Sequence, residues 1–202
     1  MILTDKEIRS LCSANMKKPL ISPFSEEALS SESYDISIGD EITVFSKNIR
    51  CIDIRNSDNV DGLYITKKLT EKGYMIYPKE YVLVSLKETI SLNDKITAHI
   101  RPRTRFTRLG LIVSDQHCNS TYSGVLTVGI FNASDSAIKI YPDVRIAQIV
   151  FEELKSVPSD DKQYKNKPTA EYQNEKEFRG YRVPPELKND VNEFLNSIFS
   201  EG

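Results

Sequence analysis

The sequence predicts a mainly β protein, a single barrel or jelly-roll sandwich with a short helix at each end. Runs of β-branched and aromatic residues follow one another almost without interruption from Tyr34 to Leu154. Turn residues separate them at Pro78-Lys79, Asn93-Asp94, Ala133-Ser134 and Pro142-Asp143, where proline fixes φ and Asn, Asp or Ser bond locally to the backbone. Helical periodicity is confined to the two ends. Many short strands at this spacing close into a barrel or a sandwich.

Thr4 to Glu7 is a capping box, and Ile8, Leu11 and Cys12 fall at helical spacing behind it. A short helix ending before Pro19 follows. "SYDISIGDEITVF" alternates Ile36 and Ile38, then Ile42 and Val44, with Gly39-Asp40 at the break; the period of two predicts a strand or a hairpin. "GLYITKKL", "GYMIYP", "EYVLVSLKETISL", "KITAHIR", "GLIVS", "GVLTVGIFNAS" and "AIKIYPDVRIAQIVFEEL" supply the remaining strands. Pro102 has no N–H for a ladder and ends "KITAHIR". Thr104 is placed to cap a short helix over Arg105 to Leu109, with Gly110 as its stop. Gly129, inside a strand pattern, marks a bulge or a close approach by another group.

Residues 155–182 lose all periodicity and carry many charges, which predicts a polar arm or flexible tail. Beyond it, Leu187, Val191, Phe194, Leu195 and Ile198 share one face of a terminal amphipathic helix over 183–202. The domain organisation expected is therefore a barrel with its helix over 1–154, an arm over 155–182 and a C-terminal helix over 183–202.

A chain of 202 residues can bury one core without splitting into two. Its 27 basic and 29 acidic residues nearly cancel, which argues against a general attraction to nucleic acid or to an anionic membrane. No window approaches the ~18 apolar residues of a spanning helix or resembles a secretory leader, so the expected location is cytoplasmic. Cys12, Cys51 and Cys118, with His99 and His117 as the only histidines, have neither the spacing of a disulfide framework nor that of a zinc site.

Chemistry concentrates in "RPRTRFTRLGLIVSDQHCNSTYSG". Arg101, Arg103, Arg105 and Arg108 fall within eight residues of a nearly neutral chain. Two readings fit them: a phosphate-sized anion site beside a helix start, or solvated gatekeepers on a sheet edge. Asp115, His117 and Asn119 form the one short-range group with acid–base potential.

Three stretches resemble the dCTP deaminase and dUTPase family, most closely its dCTP deaminase branch. "MILTDKEI" with "LISPFSEEALSSESYDISIGDEITVF" is similar to Met-x-Leu-x-Asp-x-x-Ile and Pro-x-Ser-Tyr-Asp-x-x-Leu-Gly. "RPRTRFTRLGLIV" is similar to Gly-Arg-Ser-Ser-x-x-Arg-Leu-Gly-Leu, and "IKIYPDVRIAQIVFEEL" to Tyr-Pro-Gly-x-x-Ile-x-Gln-x-x-Phe. The resemblance implies a distorted jelly-roll β-barrel of the dUTPase-like type, assembled as a homotrimer. It also implies sites at subunit interfaces for a pyrimidine deoxynucleoside triphosphate carried with Mg²⁺, and no zinc.

Residue by residue, the resemblance assigns Arg103, Thr104 and Arg108 to the triphosphate, with Arg105 replacing a small serine. Asn119, Thr127, Val128, Gly129 and Tyr164 complete the nucleotide contacts it implies. Two family positions lack their carboxylate: Gly129 stands for the deaminase glutamate and Asn119 for the dUTPase aspartate. The hairpin from Leu111 to Tyr122 is about two residues shorter than the family's. In the arm, Glu171 stands for a phosphate-binding lysine and Glu175 for a glutamine, so Lys165, Lys167 or Lys176 would have to take over by a shift in register.

Two classes of function follow. In the first the chain is an enzyme, converting dCTP to dUTP and ammonia with Asp115 or His117 in place of the missing carboxylate, or acting as a dUTPase-like diphosphatase. In the second it is a non-catalytic nucleotide-binding or regulatory homologue.

Overall fold

The computed structural model describes residues 1–13, 15–49, 51–55, 62–184 and 187. Within them lie α1 (Asp5–Leu11), β1 (Ile21–Ser22), β2 (Tyr34–Phe45), β3 (Tyr64–Lys68), β4 (Tyr74–Ile76), β5 (Tyr81–Ser91) and β6 (Ile96–Pro102). Then come α2 (Thr104–Thr107), β7 (Leu111–Val113), β8 (Gln116–Cys118), β9 (Ser123–Asn132), β10 (Ile138–Ile140) and β11 (Arg145–Glu153). The principal sheet runs β7-β9-β5-β2-β11-β6-β8, with β1 added to β5 and β3 to β2, while β4 and β10 form a separate ribbon. All these named strand pairs are antiparallel. The sheet curls into a distorted jelly-roll barrel, as the family resemblance implies and within the barrel-or-sandwich class that the strand pattern predicts. No helix among the described residues is long and apolar enough to cross a membrane.

Alternation makes the barrel. Val82, Val84, Leu86 and Ile90 of β5 are buried, as are Ile36, Ile38 and Ile42 of β2. Each such side chain contributes roughly 1.5–3 kcal/mol on burial. The sequence break at Gly39-Asp40 is a bulge within one long strand and not a hairpin turn, because β2 stays paired with β5 on both sides of it, Ile38 with Leu86 and Ile42 with Val84. A Cβ on Gly39 would lie 2.9 Å from the Ser85 carbonyl oxygen, so the bulge needs glycine there. A second irregularity in β5, between Ser85 and Thr89, bends the sheet further, as bulges do.

The capping box of α1 forms: the Glu7 carboxylate accepts the Thr4 N–H at 2.7 Å and the Thr4 hydroxyl at 3.0 Å. Helix α2 begins one residue earlier than expected, with Arg103 and not Thr104 at the capping position. The Arg103 carbonyl takes the Phe106 N–H at 3.0 Å. The expected helix of 183–202 lies almost wholly outside the described residues.

One carboxyl is buried in the barrel wall. Glu88, 4% exposed, accepts the Ser37 N–H at 2.9 Å, and burial raises its pKa above the usual carboxylate range. A raised folded value means that its stabilising contribution is complete below the unfolded pKa and is lost as pH rises through the folded one. Glu88→Gln keeps the acceptor and removes the ionisation. The variant should therefore gain melting temperature relative to wild type at pH 8 and lose that advantage at pH 4, in paired thermal melts.

Candidate functional site

A cavity of about 520 Å³ opens between the segment from β8 to β9 and the arm that follows β11. The β8-to-β9 segment contributes Gln116, His117, Asn119, Tyr122, Leu126 and Thr127; the arm contributes Tyr164, Tyr172, Glu175, Phe178 and Tyr181; Tyr64 of β3 and Leu83 of β5 complete the walls. Between β8 and β9, the Gln116 side-chain amide donates to the Thr127 carbonyl at 2.7 Å. The Tyr122 N–H donates to Asn119 O at 3.2 Å, closing a turn in which Thr121 takes φ +67°.

The arm is held against this turn through its backbone and through Gln173. The Gln173 amide donates to Thr121 O at 3.0 Å and accepts the Ser123 N–H at 3.1 Å. Asn174 N–H donates to Ser123 O at 2.7 Å, and Val125 N–H to Glu175 O at 2.8 Å. Rings then pack across the seam: Tyr122 with Tyr164 at 5.8 Å and Tyr64 with Phe178 at 5.0 Å between centroids. An arm without periodicity docks because its backbone groups and its aromatic side chains both find partners on the barrel.

Electrostatically the cavity is unusual for an anion site. No lysine or arginine lines it among the described residues, and its sole carboxyl is that of Glu175. Glu175 is 6% exposed. Burial raises its pKa, while the N–H and positive charge of Arg179 pull the other way. The Arg179 guanidinium does not bond that carboxylate; it ties the loop together through the carbonyls of Glu171, Gln173 and Asn174 at 2.8, 3.2 and 3.3 Å. Burial also pushes the Tyr122 hydroxyl upward, with Glu175 reinforcing the shift.

The residues singled out from the sequence divide between places. His117, Asn119, Thr127 and Tyr164 line the cavity. The His117 ring also lies 4.9 Å from that of His99 on the neighbouring strand. Asp115 faces outward and pairs with Arg101 at 3.1 Å. Val128 is fully buried in the core. Thr104, Arg105 and Arg108 are exposed on α2 and at its end, away from the cavity walls of their own chain.

Arg103 turns inward. It pairs with Asp35 of β2 at 2.9 Å and donates to the Arg145 carbonyl at 2.9 Å. Gly129 is buried under Tyr81: a Cβ built on it would meet the Tyr81 hydroxyl oxygen at 1.8 Å and Cζ at 2.4 Å. Its amide donates to Ser114 Oγ at 2.9 Å. The close approach expected of a glycine in a strand is thus made by a tyrosine ring.

Sequence reasoning did not find the aromatic wall of Tyr64, Tyr172, Phe178 and Tyr181. The signal was present, since an arm that stays in water needs no such run of large rings.

Three comparisons bear on this site. The family model described as dCTP deaminase-like matches residues 2–154. A protein of Persephonella marina named "dCTP deaminase, dUMP-forming" is 32% identical over 157 residues, 76% of this chain and 84% of the relative. One of the same name from Nanoarchaeum equitans is 34% identical over 179 residues, 81% of this chain and 89% of the relative. Among solved structures, 2'-deoxycytidine 5'-triphosphate deaminase from Agrobacterium tumefaciens superposes with a TM-score of 0.60 at 19% identity, covering 76% of this chain. This chain spans about half of that one, 49% of its length, and the likeness is one of fold.

Proposed function

Because this chain belongs to the dCTP deaminase-like family, we propose that it acts in pyrimidine deoxynucleotide metabolism, binding dCTP and converting it with water to dUTP and ammonia. The observation that carries this reading is the cavity of about 520 Å³, walled by tyrosines and Phe178 and edged by Asn119 and Thr127. Such a slot suits a flat heterocycle and its sugar, with a few polar groups to orient them.

The triphosphate needs positive charge that the cavity walls do not supply. The proposal therefore includes a homotrimer, in which the exposed Arg105 and Arg108 of one copy reach the phosphates held beside another. Magnesium enters as an ion carried on those phosphates. Among the described residues no group of three or more His, Cys, Asp and Glu side chains is placed to hold a metal, and Mg²⁺ is commonly bound through substrate phosphates and water. When bound it neutralises phosphate charge; the residues of this chain orient the base and handle protons.

One observation favours a second reading, a nucleotide-binding homologue without catalysis. Tyr81 fills the room in front of Gly129, and Asn119 cannot act as a carboxylate base.

Calorimetric titration tests the binding step common to both readings. dCTP with Mg²⁺ should bind saturably and dATP should not. Tyr164→Ala, which removes a ring packed on Tyr122, should weaken dCTP binding roughly 5- to 150-fold, the worth of about 1–3 kcal/mol of base–aromatic stacking. Equal binding of dATP and dCTP, or a Tyr164→Ala variant that binds like wild type, would contradict the assignment of the pocket.

A further inference from the structure

The loop that closes the cavity carries its only carboxyl among the described residues. Glu175 is fixed from both sides: its carbonyl accepts the Val125 N–H at 2.8 Å and it bridges to Gly124 of β9. Its Oε1 accepts the Arg179 N–H at 2.9 Å. Among the described residues Oε2 has no hydrogen-bond donor, and the side chain lines the cavity. Tyr64 of β3, His117 and Cys118 of β8, Tyr122 from the turn after β8, and Tyr164, Tyr172 and Tyr181 of the arm share the cavity with it, and Glu171 and Arg179 flank it in the arm. Burial disfavours the ionised carboxylate. Arg179 restores part of that loss.

The geometry points to Glu175 as the proton-transfer residue of the dCTP deamination proposed above, on which this inference rests. Water adds through its oxygen to C4 of the cytosine ring while one of its protons passes to the Glu175 carboxylate, which returns it to N3. The carboxylate then takes the remaining hydroxyl proton and delivers it to the exocyclic nitrogen. The C4–N bond breaks with its electron pair leaving on nitrogen, ammonia departs and the water oxygen remains as the uracil carbonyl. One water is consumed, one ammonia is released and the carboxylate is regenerated. A carboxyl in aromatic surroundings is suited to accept and return a proton nearer neutrality than a solvated one. Neither Gly129 nor Asn119 can do this, and Asp115 is engaged with Arg101 outside the cavity.

Full-length wild type, Glu175→Gln and Glu175→Asp should be compared for ammonia release from dCTP with Mg²⁺, together with dCTP affinity by calorimetry. For Glu175→Gln the expected result is a kcat lowered about 10²–10⁴-fold with dCTP affinity within about threefold of wild type. Glu175→Asp should retain an intermediate kcat. Wild-type kcat should fall as pH drops through the raised Glu175 pKa, and the glutamine variant should lack that limb. A glutamine variant with near-normal kcat beside an active wild type overturns this role and leaves the deaminase reading standing. Joint loss of affinity and turnover in Glu175→Gln assigns the residue to binding and also overturns it. A wild type that releases no ammonia removes the deaminase reading and this inference with it.

Discussion

Replacing Arg103 by alanine should lower the melting temperature by roughly 6–12 °C, from about 3 kcal/mol of lost stability at ~2–4 °C per kcal/mol for a chain of this size. The Arg103 and Asp35 side chains are 20% and 11% exposed and meet at 2.9 Å. Truncating the arginine leaves Asp35 with an uncompensated charge in the barrel wall, and the Arg145 carbonyl loses its donor. Removing one partner of such a pair costs far more than the pair contributes. Arg103→Lys keeps the charge but cannot make both contacts with one planar fork, so it should fall between alanine and wild type. Thermal unfolding of the three proteins checks this, and an unchanged melting temperature in Arg103→Ala would refute it. Nucleotide binding lost in Arg103→Ala would not by itself identify a phosphate contact. Arg105→Ala and Arg108→Ala, both at exposed positions, are the variants that probe the phosphates.

Gly129→Ala should destabilise the barrel by about 1–3 kcal/mol, the usual cost of forcing an extra group into a filled space. The new methyl group would fall within 1.8 Å of the Tyr81 hydroxyl oxygen and 2.4 Å of Cζ. The ring would have to swing out and abandon Phe45, whose centroid lies 5.8 Å away. Tyr81→Ala removes the obstacle. The double variant should therefore be little less stable than Tyr81→Ala alone, with a coupling of about 0.5–3 kcal/mol in a double-mutant cycle by urea unfolding. Strict additivity would show that Tyr81 does not confine position 129. Confinement has a chemical corollary: a carboxylate introduced at 129 has no room unless Tyr81 changes with it.

Much of the barrel was legible because burial in a sheet repeats every two residues and prolines and Asx residues punctuate it. Ile36, Ile38, Ile42 and Val44 all point into the core as their alternation predicts. Whether Gly39-Asp40 turns the chain or bulges it was not legible, since the answer depends on Leu86 and Val84 of a distant strand. The three-residue strand β8 was too short to show a period. Arginine density drew attention to residues 101–108, but charge in sequence does not say which side chain turns inward. Arg103 does so because Asp35, far away in the chain, lies across the barrel wall.

The pocket was the least legible part. Its closing arm is irregular and is held by the Gln173 side chain on Thr121 and by backbone bonds to Ser123 and Val125, which leave no periodic trace. The pairing of Gly129 with Tyr81 was hidden for a related reason. Strand register sets Leu83 opposite Gly129, and the diagonal neighbour Tyr81 reaches across. Glu175, read from the sequence only as standing where the resemblance implies a glutamine, lines a cavity to which no lysine or arginine among the described residues contributes.

Ammonia release is the measurement closest to the central claim that this pocket deaminates dCTP. Purified protein incubated with dCTP and Mg²⁺ should release ammonia stoichiometrically with dUTP, saturating with dCTP concentration. Binding of dCTP without any release of ammonia would contradict the claim and leave a nucleotide-binding homologue.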